Sequence, residues 1–248
     1  MSIESEADAA GLAAAGRVVA EALARMKRAV RAGVTTRELD EIGATVFARH
    51  GARSAPQLTY DFPGTNCISV NDEAVHGVPS SRALRDGDLV KLDVTAELGG
   101  YMADAAISVP VGAPTPLAVS LVAAAGRALV RALAVVAPGR RINEIGRAVE
   151  REVHGAGYQV LTSLGGHGIG RTIHEAPHVP NYYDAADDTV LTEGLVITIE
   201  PIIAATTSRV RGPGRDGWAI STADGSLSAH VEHTIVVRRR GAEILTAA

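Results

Sequence analysis

The chain has 248 residues, 46% hydrophobic and 21% charged, with a formal net charge of −4, which is the profile of a globular protein with its own core and no nucleic-acid footprint. A single cysteine, Cys67, excludes an internal disulfide, and the first twenty residues open with acids where a secretory signal needs a basic start. The cytoplasm is the expected compartment, and no apolar run is expected to approach the roughly 18 residues of a membrane span.

In chain order, the segment Ala13–Arg53 predicts a long helix, a glycine stop and a second amphipathic helix closed by His50-Gly51-Ala52. Gly33 suits a helix end, and Thr35 with Glu38 three residues on predicts a capping box. Strands are predicted over Cys67–Asn71, Leu89–Glu97 and Ala105–Val111. The segment Ala123–Gly157 then repeats the helix pair and its His154-Gly155-Ala156 close. Further strands follow at Leu195–Ile203, Gly217–Thr222 and Ala229–Arg238. The repeat is too long for a solenoid. It predicts one α+β domain over residues 1–248, with pseudo-symmetric halves at about 9–112 and 117–248 joined near Gly112–Pro116. A curved antiparallel sheet with helices on one side is expected, and ligands should collect where the halves meet. The basic run Arg238-Arg239-Arg240 reads as a solvated strand terminus.

Carboxylates interrupt three of these strands: Asp93 in LVKLDVTAEL, Glu200 in LVITIEPII and Glu232 in SAHVEHTIVV. An unpaired buried carboxylate costs several kcal/mol, so each must face water, meet a base or bind metal. Period-2 alternation aligns Val196, Thr198 and Glu200 on one face, and His230, Glu232 and Thr234 on one face. Taken singly, a solvent-facing sheet explains each acid. Taken together with Asp104 and His167, and with few bases nearby, they form an oxygen-rich set suited to manganese, iron, cobalt or zinc. Four negative charges balance two divalent cations, the layout used for metal-assisted hydrolysis. The glycines around His167 are expected to let the backbone approach the metals.

The segments NDEAVHGVP, LDVTAELGGYMAD, GGHGIGRTIHEAPHV, TIEP and SAHVEHTIVV stand in the order and spacing of the methionine aminopeptidases, metallopeptidases of the pita-bread fold. Nearly the whole chain takes part. With no long insertion and no zinc-finger extension, it resembles the bacterial type I enzymes. The resemblance implies that Asp93, Asp104, His167, Glu200 and Glu232 bind two divalent ions (cobalt, manganese, iron(II) or zinc). It implies that His76 and His174 act on the substrate and that Glu200 carries the proton from water to the leaving amine. His174 would stabilise the oxyanion and His76 would hold the scissile amide, while the substrate's free amino group would bind one metal.

The methionine pocket implied by the family falls on Phe62, Cys67 and Trp218, although Trp218 as ordinary core is an equal reading from the residues alone. The chain departs from the family at Thr59 and Ile173, where aromatics are common, and at Pro56, where cysteine is common. The two aromatic losses predict reduced discrimination against norleucine or leucine. His230 stands where glutamine is usual, close enough to Glu232 to perturb the site or add a ligand, and Ala105 replaces a hydroxyl-bearing residue. Asn71 and Ser228 match positions that help hold a monovalent cation in some relatives, with ordinary turn polarity as the alternative. Implied partners are nascent polypeptide N-termini and, transiently, the ribosome, with the chain a monomer that reads no nucleic acid and meets no membrane. A proline-specific peptidase of the same fold, or a binding relative without catalysis, is the alternative; the first should carry an additional N-terminal domain and the second should have lost ligands.

Overall fold

The computed structural model describes residues 1–247. Helix α1 runs Glu6–Ala29 and α2 Thr36–His50; α3 is the short Ala55–Tyr60; α4 runs Pro116–Val135 and α5 Ile142–Gly155. Both long pairs are built alike. Gly33 and Gly139 lie three residues before α2 and α5, with φ of 87° and 86°, a conformation that costs glycine nothing. Thr35 and Arg141, the two N-caps, each make an isolated antiparallel bridge, to Ala83 and Val190.

The predicted capping box is present on α2: Glu38 N–H donates to Thr35 Oγ1 at 3.1 Å and Thr35 N–H donates to Glu38 at 2.7 Å. On α5 only the glutamate half survives, with Arg141 N–H donating to Glu144 at 3.0 Å, because an arginine side chain has no acceptor for the return bond.

Among the described residues all strand pairings are antiparallel, in four sheets rather than one continuous sheet. The strands Leu89–Leu98 and Tyr101–Pro110 form an unbroken ten-residue hairpin. The two long strands predicted in the second half are each broken at an acid. Val196–Ile199 and Ile202–Ala204 are separated at Glu200-Pro201, and Ser228–His230 and His233–Arg238 at Val231-Glu232. Pro201 has no N–H for a ladder, and the N–H of Glu232 goes instead to Ala106 O at 2.9 Å.

Two apolar cores follow the two halves. One gathers α1, α2 and the hairpin around Val19, Leu39, Val90 and Leu92; the other gathers α4 and α5 around Leu121, Ile145, Ile197 and Ile235. The reading of no span-length apolar run needs correcting, since α4 is long and apolar enough to cross a membrane by length and composition. Its buried stripe, Leu121, Ala125, Ala128 and Ala132, is committed to the second core, which accounts for its apolarity. Arg238 and Arg239 pair with Glu243 and Glu193 at the strand end, as the solvated reading of the basic run requires.

The seam between halves is laced by the hairpin strand Tyr101–Pro110. Asp104 N–H donates to Thr234 Oγ1 at 2.8 Å, Glu232 N–H to Ala106 O, and His230 N–H to Ser108 Oγ at 2.9 Å. Alternate residues of one strand thus meet alternate residues of the other, and Asp104, His230 and Glu232 line a common cavity.

Candidate metal centre and active site

Hairpin register places Thr95 opposite Asp104 and Asp93 opposite Ala106, so both aspartates share a face. Cys67 pairs with Asp93 on the neighbouring strand and lies on that face too. His167 comes from the strand Gly165–Gly168. Its flanking glycines answer a different need from the expected one: a Cβ on Gly166 would stand 2.5 Å from Thr198 O, and one on Gly168 2.2 Å from Ala176 O. Close packing against the neighbouring backbones, rather than approach to an ion, demands them. His167 Nδ1 lies 3.0 Å from Gly168 O. As a donor there it leaves Nε2 as the free lone pair, the usual tautomer of a metal-binding imidazole. Thr198 Oγ1 accepts from His167 N–H at 3.0 Å and donates to Glu200 Oε1 at 2.9 Å, fixing both residues.

Solvent does not reach these acids as a sheet face would. Asp104, Glu200 and Glu232 are 6%, 7% and 2% exposed, and Asp93 is half-buried. Ligand atoms of Asp104, His167 and Glu232 lie within 4.8 Å of one another, as do those of Glu200, His230 and Glu232. The two groups share Glu232. Asp104 Oδ1, Glu232 Oε1 and both ring nitrogens of His230 are buried without a hydrogen-bond partner among the described residues, and none of the lysines or arginines among them lines the cavity. Burial, then Asp104 and Glu200, pushes Asp93 well above the carboxylate range; burial, then the same two neighbours, does so for Glu232. Burial also raises Asp104. For Glu200 burial raises the carboxyl, but the neighbouring imidazoles of His230 and His167 and the Thr198 hydroxyl outweigh it and leave it below the usual value. Orphaned buried oxygens, crowded carboxylates and no protein base are the properties of a divalent-cation site, and these residues fit one.

The whole cavity is about 450 Å³, and beyond the acids most of its lining is apolar or imidazole-bearing. Phe62 and Trp218 meet edge to face at 5.1 Å, with Cys67, Val75, Ile173 and Ile202 around them, so Trp218 belongs to this pocket rather than to the core. His76 and His174 are exposed residues that line the same cavity. His76 holds φ of 59°, an uncommon conformation for a side chain of its size.

Sequence reading missed Tyr60. Its hydroxyl lies 2.6 Å from His174 Nδ1, and it lines the cavity that Thr59 was expected to leave open. Burial, then neighbouring His167, lowers His174 to about 4. The carbonyl of Asn71, the cation position of some relatives, accepts from Ser228 Oγ at 2.9 Å and from Lys91 Nζ at 2.7 Å. Lys91 is fully buried, and burial lowers it to about 7. The amine of Lys91 already stands at that carbonyl.

The chain matches Metallopeptidase family M24 over residues 10–239. It is 44% identical to methionine aminopeptidase 2 of Bacillus subtilis, covering 99% of each chain. The chain belongs to the methionine aminopeptidases of family M24. A solved member of this group, from Thermotoga maritima, superposes with a TM-score of 0.96 at 32% identity over 100% of both chains, so the M24 pita-bread fold is that of the two αα-plus-sheet halves described above. Prolidase from Pyrococcus furiosus has a TM-score of 0.79 at 24% identity, covering 99% of this chain and 65% of that one; that likeness shows the fold alone. As a member of the metallopeptidases the chain is a metal-dependent hydrolase that binds divalent metal.

Proposed function

We propose that this chain removes the N-terminal methionine from nascent proteins and peptides in the cytoplasm, favouring a small second residue, with two divalent ions held by Asp93, Asp104, His167, Glu200 and Glu232. The observation that carries this reading is one cavity with a buried carboxylate–imidazole floor and a Phe62–Cys67–Trp218 wall. An apolar pocket with a sulfur-tolerant lining suits a thioether side chain. Bound ions would supply Lewis acidity, making hydroxide available near neutral pH and polarising the scissile carbonyl.

The protein's own groups do the rest. Glu200 Oε1 is engaged by Thr198, which orients the carboxylate to take a proton from water and return it to the leaving amine. His174 is neutral at working pH, and Tyr60 O–H donating to Nδ1 fixes the proton on Nε2. That N–H then serves as the donor to the oxyanion. His76, held in its strained backbone conformation, presents its ring to the scissile amide. Walls of Phe62 and Trp218 seat the side chain and exclude water from it.

Transient association with the ribosome follows from nascent chains as substrates, and the lacing of the two halves into a closed seam supports action as a monomer. The test is release of methionine from Met-Ala-Ser, against Leu-Ala-Ser and Ala-Pro peptides, by metal-stripped protein given cobalt, manganese, iron(II) or zinc. Metal-dependent release of methionine is expected; cleavage only before proline would move the chain to the prolidase activity, and none with any bound metal would make it a binding relative.

A further inference from the structure

Both ring nitrogens of His230, on the cavity floor, are buried without a hydrogen-bond partner among the described residues. The residue is 2% exposed. Its backbone is pinned on both sides, N–H to Ser108 Oγ at 2.9 Å and carbonyl from Ser108 Oγ at 2.8 Å, so the ring is held over the floor. Nε2 lies 3.4 Å from Glu200 Oε2 and 3.5 Å from Glu232 Oε2. Charged hydrogen bonds between nitrogen and carboxylate run at about 2.7–2.9 Å, so neither separation is one. Two ligand atoms about 2.1 Å from a tetrahedral ion stand about 3.4 Å apart. The spacing of His230 from both glutamates is the spacing of ligands around a shared cation.

We propose that His230 is a sixth protein ligand of the metal centre, binding the ion held by Glu200 and Glu232. This rests on the reading that the floor binds divalent ions. Together with His167 it gives the centre two imidazoles, and a nitrogen-richer set favours zinc, iron(II) or cobalt over manganese. The residue thereby sets metal preference and leaves the peptide chemistry to the groups already described.

Cobalt(II) loading of the metal-stripped protein tests this without reference to activity. Each coordinated imidazole gives a paramagnetically shifted, exchangeable N–H proton signal. Two such signals are expected, one lost in His167→Gln and the other in His230→Gln, which keeps a hydrogen-bonding side chain of similar reach. The His230→Gln protein should bind cobalt or zinc at least about tenfold more weakly, with manganese affinity changed less. A wild-type protein that retains cobalt but shows one shifted imidazole, lost only in His167→Gln, overturns the role of His230 and leaves the metal centre standing. If the wild-type protein retains no cobalt, both fall. The wild-type signal count decides the matter even if the substituted chain folds poorly.

Discussion

The two halves share scaffolding and divide the chemistry. Each has a helix pair turned by a glycine at φ near 87° and a bridge from the second helix's N-cap. The first half places Asp93 and Asp104 on an unbroken hairpin, where pleat alternation alone aims them. The second places Glu200 and Glu232 at interruptions between short strands and adds the imidazoles of His167 and His230. A break frees a residue from alternation, so its side chain can turn into the seam without carrying its strand neighbours along. The scaffold the halves share therefore accounts for where the cavity lies, and the difference between their strands for what it can do.

The largest expected effect comes from the residue both ligand groups share. Glu232→Gln should lower kcat/KM more than about 10³-fold and reduce bound metal as measured by elemental analysis. Equal metal content in Glu232→Gln and wild type would break the assignment. Next comes His174→Ala, with kcat down about 10²–10³-fold and KM little altered, the pattern of a donor engaged in the transition state. Tyr60→Phe should cost less, about tenfold in kcat at unchanged metal content, because it leaves the imidazole in place and removes only the group that orients it. A rise in KM with kcat preserved would show that Tyr60 lines the pocket and does nothing for His174.

Asp93, Glu200 and Glu232 were legible as candidates because a charge inside an aliphatic strand violates a strong rule, and Asp104 and His167 joined them through the motifs around them. Phe62, Cys67 and Trp218 came from resemblance, and the cavity brings them together. What escaped depends on side chains reaching across loops. Tyr60 follows a position that had lost its aromatic, yet from the end of α3 it reaches His174, 114 residues away. Lys91 sits in an aliphatic strand run and donates its amine N–H to a carbonyl 20 residues back. The strand breaks at Glu200 and Glu232 were hidden because hydrophobic alternation continues through them.

The smallest effect separates the two N-caps. Thr35 both accepts from and donates to its capping partner, so Thr35→Ala should lower Tm by about 2–4 °C at neutral pH. Arg141 contributes an exposed pair with Asp188 and no cap acceptor, so Arg141→Ala should shift Tm by less than half as much. The Thr35 N–H, then its hydroxyl, holds Glu38 below the usual carboxylate value. A depressed folded-state value stabilises above the unfolded one and is lost as pH falls through it, so the Glu38 share of the cap is present at neutral pH and gone in acid. Thermal melts of both variants at neutral and acid pH should therefore converge on the acid side. If the Arg141 variant loses as much as the Thr35 variant at neutral pH, the second cap is as strong as the first, and the asymmetry between the halves begins at the cavity rather than in the helices.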